Sequence, residues 1–235
     1  MKKLFILPLL LLLFSCGKNN NLQKGAGPVG AIFKAKSITV ETSVLVDAGR
    51  DVNQITLRMK DVAVIDEKDY SKTHVASLSS KLLYDNLSKE DIGEAEQIEV
   101  MIDSKGKTYR HVYGINDLKN LDAHIKVAQD YLADVKEMKY DKLYNYYDTT
   151  RLSRGDADVL IGLFKKNDSI IGKQDHLKIL GFTFVKIQAD VELPVVELWA
   201  EMKSTDLKYY NTYHFYLSKD LLATKVLGVA LNDEN

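Results

Sequence analysis

Hydrophobic positions along this chain change their period several times, and each change marks an element. Leu4 to Phe14 is an unbroken apolar run of eleven residues behind Lys2 and Lys3. From 31 to 66 the period is two: Ile38, Val40, Thr42, Val44 and Val46 alternate with Thr39, Glu41, Ser43 and Leu45, a turn cluster follows at Asp47-Ala48-Gly49-Arg50-Asp51, and Ile55, Leu57 and Met59 alternate again. Two long strands are expected there, extended through Val62 and Val64. The spacing of Val75, Leu78, Leu82 and Leu83 predicts a helix over 68–87, capped by Asp69 or Ser71. Ser88 to Gln97 is acidic and irregular, and the acidic stretch 90–99 reads as a solvated surface. A hairpin is expected from 97–103 and 107–115 across Ser104-Lys105-Gly106. The first half therefore reads ββαββ.

The second half opens with the most regular helical pattern. Leu121, Ile125, Ala128, Leu132 and Val135 repeat at helical spacing over 117–138, widened by His124, Tyr131 and Met138, with Asn116 or Asp117 as cap. A short helical piece from Tyr140 to Tyr147 and a helix over 156–171, with Val159, Leu160, Leu163 and Phe164 inward, come next. Four strands near 176–189, 194–203, 208–218 and 223–231 complete the chain. The class is α+β: an N-terminal ββαββ unit, then helices followed by an antiparallel sheet.

Composition narrows the classes. The chain has 235 residues, 46% hydrophobic and 28% charged, with 3 Pro and 1 Cys, so it carries enough apolar surface for a core and no disulfide framework. The formal net charge of -1 leaves no basic surplus to hold nucleic acid by counterion release. Residues 17–30, GKNNNLQKGAGPVG, hold four Gly, three Asn and one Pro and read as a flexible tether. Such a tether has an r.m.s. reach of ~20 Å and a stretched reach of ~48 Å.

The eleven-residue run would cover ~16 Å as a helix, about half of a ~30 Å bilayer core. A cleavable export signal fits it better than a membrane span. The run ends in Leu13-Phe14-Ser15-Cys16. Here the chain resembles bacterial lipoproteins, whose lipobox places Leu three positions before an invariant Cys and a small residue just before it. Leu13, Ser15 and Cys16 match, while Phe14 is bulkier than the usual residue. The resemblance implies a diacylglyceryl group on the Cys16 sulfur and cleavage before Cys16. Gly17 stands where the inner-membrane retention signal of that family has Asp, which favours the periplasmic side of the outer membrane. An ordinary secretory signal with an incidental Cys is the competing reading.

Candidate chemistry is sparse. Gly106-Lys107-Thr108 would need a glycine at 101 to make a phosphate loop, and Met101 stands there. The five histidines, 74, 111, 124, 176 and 214, form no metal-binding spacing, so no metal and no cofactor are expected. Nine of the 13 tyrosines lie between 131 and 216, close to Trp199. Strand alternation puts Val196, Leu198, Ala200 and Met202 on one face, and Val195, Glu197, Trp199 and Glu201 on the other. A pocket with polar tips from Tyr147, Trp199, Glu201, His214 and Tyr216 is one reading, because a carboxylate beside His or Tyr can be tuned for proton transfer. The other reading has these aromatics filling the core with their hydroxyls hydrogen-bonded.

The helix, short helix, helix, four-strand order, with Ala128-Gln129-Asp130-Tyr131-Leu132 followed by Tyr140-Asp141-Lys142-Leu143-Tyr144, resembles the nuclear transport factor two-like (cystatin-like) fold. That resemblance implies a long first helix lying in a curved sheet, with a cone between them that is often a pocket. It implies no activity, because enzymes, binding modules and adaptors share such folds. The organisation expected is a signal peptide over 1–15, a lipidated tether over 16–30, an N-terminal domain over 31–116 and a C-terminal domain over 117–235. The function expected is a membrane-anchored envelope module that binds a protein partner without catalysis. The alternative is a small-molecule-binding or isomerase/hydrolase-type enzyme using the C-terminal cone.

Overall fold

The computed structural model describes residues 21–66, 71–166, 174–187, 193–204, 210–219 and 224–232. The chain is α+β and divides into two compact units, one through Lys119 and one from Asn120. The export signal, Cys16 and the loop expected to carry the Asp69 cap lie outside the described residues.

The first unit begins with a correction. Residues 21–25 are helical, and α1 (Gly27–Phe33) follows with Pro28 in its first turn. A flexible tether reaching to residue 30 is therefore overturned. Leu22, Ala26, Val29 and Phe33 are buried, at spacings of four, three and four along one helical stripe. Gly25 lies against Asn86 and Leu87, where an added Cβ would stand 2.6 Å from Leu87 Cδ2. Burial of this stripe outweighs the loop-like Gly and Asn content around it.

Strands β1 (Ala35–Asp47) and β2 (Arg50–Val62) pair antiparallel across Ala48-Gly49, and β2 pairs parallel with β3 (Gln97–Ser104). Strand β4 (Lys107–Gly114) closes the sheet antiparallel to β3, in the order β1-β2-β3-β4. The β3–β4 turn has φ of 50° at Lys105 and 74° at Gly106, the two left-handed residues of a type I′ hairpin. Gly106-Lys107-Thr108 is thus hairpin chemistry. Between β2 and β3 run α2 (Lys72–Asn86) and the short α3 (Lys89–Ile92). Ser71 caps α2 by accepting the His74 N–H at 3.1 Å. A capping box between Ser88 and Asp91 starts α3, where the acidic stretch read as irregular.

One sheet face is the core. Ile55, Leu57 and Met59 pair with Ile98, Val100 and Ile102, and all six are fully buried. Helix α2 covers them with Val75, Ala76 and Leu83, and also with Ser77, Ser79 and Ser80. These serines are satisfied locally: Ser77 and Ser80 donate to carbonyls three residues back, and Ser79 Oγ lies 3.6 Å from Met59 Sδ. Leu78 and Leu82, expected in the stripe, are only half-buried.

The N-terminal segment also engages the edge of this sheet. The Gln23 amide donates to Ile38 O at 2.9 Å and accepts the Val40 N–H at 3.2 Å. One side chain thereby takes the place of a neighbouring strand at this point of β1.

The second unit contains most of α4 (Ile115–Lys136), then α5 (Tyr140–Leu143) and α6 (Arg154–Lys166). Helix α4 starts directly after β4, so Asn116 and Asp117 sit in its first turn and do not cap it. Leu121, His124, Ala128, Tyr131, Leu132 and Val135 are buried as expected. Met138 lies beyond the helix end with φ of 58° and is 52% exposed. Helix α6 buries Ala157, Ile161 and Phe164, while Val159 and Leu163 are 66% and 49% exposed. Phe164 is inward as expected, whereas small Ala157, not Val159, belongs to the buried stripe.

Strands β5 (Gln174–Ile187), β6 (Leu193–Ser204), β7 (Tyr210–Ser218) and β8 (Val226–Asn232) form an antiparallel sheet in chain order. Leu198, Ala200, Tyr213, Phe215 and Leu217 are fully buried on its helix-facing side. His124 ties α4 to the end of β7, with Nδ1 3.0 Å from Asn120 O and Nε2 3.1 Å from Ser218 O.

Candidate functional site

The five residues expected to line one pocket fall on opposite faces of the C-terminal sheet. Tyr147 is on the helical side. Its hydroxyl shares a 2.6 Å hydrogen bond with that of Tyr131, and Tyr131 meets Phe215 edge-on with ring centroids 5.5 Å apart. Trp199, Glu201, His214 and Tyr216 alternate with the buried residues of β6 and β7 and so lie on the other face. A sheet therefore separates Tyr147 from the rest, and the single pocket is not formed.

On the helical side, aromatic rings occupy the space between α4 and the sheet. Tyr131 meets Phe164, Tyr146 and Tyr147 edge-on at 5.6 to 5.9 Å, and Phe164 stacks on Tyr213 at 6.2 Å. Tyr131, Tyr213 and Phe215 are fully buried. Burial pushes the Tyr147 hydroxyl up to about 12, partly opposed by its bond to Tyr131. Burial also holds the Tyr131 hydroxyl well above its ordinary value, reinforced by Tyr147. Both phenols stay protonated at neutral pH and act as hydrogen-bonding groups. Beside Tyr147 opens a cavity of about 340 Å³ lined by Tyr144, Tyr147, Thr149, Leu152, Arg154 and Ala157. The Arg154 guanidinium lies 5.3 Å over the Tyr144 ring, and the Tyr144 hydroxyl donates to Asp158.

On the opposite face, register brings three of the expected residues together and adds one that was not singled out. Trp199 pairs with His214, and Glu197 with Tyr216. Trp199 Nε1–H donates to His214 Nδ1 at 3.1 Å, with the rings edge to face at 89°. Glu197 Oε1 lies 3.5 Å from the same nitrogen. Burial first, then the Glu197 charge and its hydrogen bond, push the Tyr216 hydroxyl above its ordinary value. As the acceptor of the indole N–H, Nδ1 leaves Nε2 to carry the proton of the neutral imidazole. Glu201 lies one pair further along, opposite Lys178 and Thr212. Gly181 and Gly228 stand opposite Trp199 and Tyr216, so the cluster is bordered by residues without side chains. Strand alternation already put Glu197 on this face; the cross-strand register that seats it beside Tyr216 was the missing information.

A third constellation was not anticipated. On the second face of the N-terminal sheet, Gln54, Thr56 and Glu99 are 3%, 5% and 8% exposed. Gln54 Nε2 donates to Thr56 Oγ1 at 2.9 Å and to Glu99 Oε2 at 3.0 Å, and Gln97 Nε2 donates to Gln54 Oε1 at 2.9 Å. Arg110 Nη1 lies 3.5 Å from Glu99 Oε1. The acidic stretch read as solvated surface thus ends in a buried carboxylate. Glu99 alternates with Ile98 and Val100 in β3, and that alternation was the available signal.

Among the described residues, no group of three or more His, Cys, Asp or Glu is placed to hold a metal ion, and no helix is long and apolar enough to cross a membrane. No family model, curated protein or solved structure matches this chain.

Proposed function

We propose that this chain is a lipid-anchored protein of a bacterial cell envelope, held on the periplasmic side of the outer membrane, and that its body is a non-catalytic module that binds a protein partner. The observation that carries the anchor is the basic pair Lys2-Lys3, the eleven-residue apolar run and the terminal Leu13-Phe14-Ser15-Cys16, with Cys16 the only thiol acceptor in the chain. Several acyl chains on one residue make stable what a single chain holds only marginally. The fold supports a close attachment. Helical structure begins by residue 21 and Leu22 is buried, so the link from Cys16 spans at most roughly 17 Å. The likeness of the C-terminal element order to nuclear transport factor two-like proteins belongs to this proposal and concerns fold alone.

Expression of the full chain in a two-membrane bacterium tests the anchor. Wild-type protein is expected in the membrane fraction with acyl mass on an N-terminal Cys16. Cys16→Ala is expected as a soluble form or an unprocessed precursor. A bare Cys16 thiol on a processed, freely diffusing molecule overturns the reading. Crosslinking in the intact envelope tests the partner.

A second reading has one specific support. The cavity beside Tyr147 is of a size that admits a small molecule, with Arg154 and Thr149 as polar contacts. It lies at the border of the aromatic core, so a ligand would bind there and not in a cone. Ligand-dependent thermal stabilisation lost in Arg154→Ala would favour it.

A further inference from the structure

We propose that the outer edge of β1 from Thr42 to Val46 is a strand-addition site for an extended segment of a partner protein, apolar in its centre and basic at its ends. This rests on the binding-module reading above and names the kind of partner.

The two bonds of Gln23 fix the geometry. Ile38 O and Val40 N–H both point away from β2, toward the amide that meets them. Main-chain groups alternate in direction along a strand, and the β1–β2 register runs without a shift from Ser37 to Asp47. The N–H and C=O groups of Thr42, Val44 and Val46 therefore point outward as well. Beyond Val40, no backbone or side chain among the described residues meets this edge. Such a row of main-chain donors and acceptors is the template that an added strand completes.

The side chains specify what kind of strand. Val44 and Val46 extend the row begun by Ile38 and Val40, yet they are 59% and 76% exposed, and Leu45 on the other face is 42% exposed. A depression of about 410 Å³ lined by Thr42, Ser43, Val44, Asn53, Ile92 and Ala95 adjoins this stretch and gives room for side chains of the added strand. Between Ser37 and Gly49 the chain carries Glu41 and Asp47 and no basic residue. The nearby Arg50 is occupied by Glu96 at 2.9 Å. A second copy paired antiparallel about Val44 would set Glu41 opposite Asp47 twice, a like-charge arrangement that opposes pairing. A partner with Lys or Arg at those two ends relieves it. The charge pattern thus favours a basic-ended partner strand over self-association.

The test uses the full lipidated chain in detergent micelles with two synthetic peptides, Lys-Val-Thr-Val-Thr-Val-Lys and Glu-Val-Thr-Val-Thr-Val-Glu. The basic peptide is expected to slow amide exchange at Thr42, Val44 and Val46 and to bind at least ~tenfold more tightly than the acidic one. Val44→Pro removes an outward N–H without touching the β1–β2 ladder, and is expected to weaken basic-peptide binding by at least ~tenfold. Glu41→Lys, a surface change that leaves the backbone intact, is expected to narrow or reverse the preference between the peptides. Absence of protection at these amides, or wild-type binding by Val44→Pro, overturns the proposal. Concentration-dependent dimerisation abolished by Val44→Pro, without peptide binding, overturns it in favour of a second copy. A native partner crosslinked elsewhere on the body while 42–46 stay unprotected removes this site and leaves the binding-module reading standing.

Discussion

The two four-stranded sheets solve the same problem differently. Each buries one face under helices and carries a second face that is neither fully apolar nor simply solvated. In the N-terminal sheet that face is a hydrogen-bonded network in which Gln54, Thr56 and Gln97 order around a buried Glu99 carboxylate. In the C-terminal sheet it is a partly buried row of Trp199, His214, Glu197 and Tyr216. Both faces hold a carboxylate with polar partners. The difference is solvent access: the side chains of Glu197 and His214 are 18% and 21% exposed, against 11% for Glu99. A carboxylate with less water depends more on each protein partner it has.

The largest expected effect tests the buried hydrophobic face of the C-terminal sheet. Tyr131→Ala removes the ring on which Phe164, Tyr147 and Phe215 converge and should cost about 3–5 kcal/mol in urea unfolding. Tyr131→Phe keeps the ring, and should cost only about 1–2 kcal/mol for the unpaired Tyr147 hydroxyl.

The next experiment addresses the contrast directly. Gln54→Ala takes a donor from the buried Glu99 and should destabilise by about 2–3 kcal/mol. Glu197→Ala should cost less than Gln54→Ala, because His214 keeps its bond from Trp199 and no buried charge is left behind. Equal costs for the two would dissolve the comparison.

Alkaline pH sharpens it from another side. A phenol whose folded-state pKa is raised stabilises the fold fully below its unfolded pKa, and that stability is lost as pH rises through the folded value. Tyr147, raised from 10.0 to about 12, should lose its contribution across that interval. Melting temperature is therefore expected to fall more steeply above pH 10 in wild type than in Tyr147→Phe.

Smaller still is the expected effect of Val159→Ser. Val159 is 66% exposed on α6, so its stability change should stay within about 0.5 kcal/mol. A cost near 2 kcal/mol would restore the register in which Val159 points inward.

Much of the fold is legible in the chain because period-two and helical stretches are long. Ile55-Leu57-Met59 and the stripe of α4 needed no tertiary information. The first helix was hidden because three Asn and four Gly dominate residues 17–30, although Leu22, Ala26, Val29 and Phe33 already stood at helical spacing. Alternation sorts Trp199 and Glu197 onto one face, and register then brings His214 and Tyr216 beside them. What no local pattern contains is which cross-strand partners meet, or that the loop residue Tyr147 pairs by its backbone with Val226 on the edge strand β8. Polar residues at strand positions, such as Gln54 and Glu99, read as solvent-facing unless their common partner is known.

The Gln23 amide on β1 has a mechanical meaning. Tension applied at the amino end of the body enters the fold through Leu22 and through two hydrogen bonds on an outermost strand. The first event expected under load is the peeling of one glutamine from Ile38 and Val40, which lengthens the row of free main-chain groups while the N-terminal sheet stays paired.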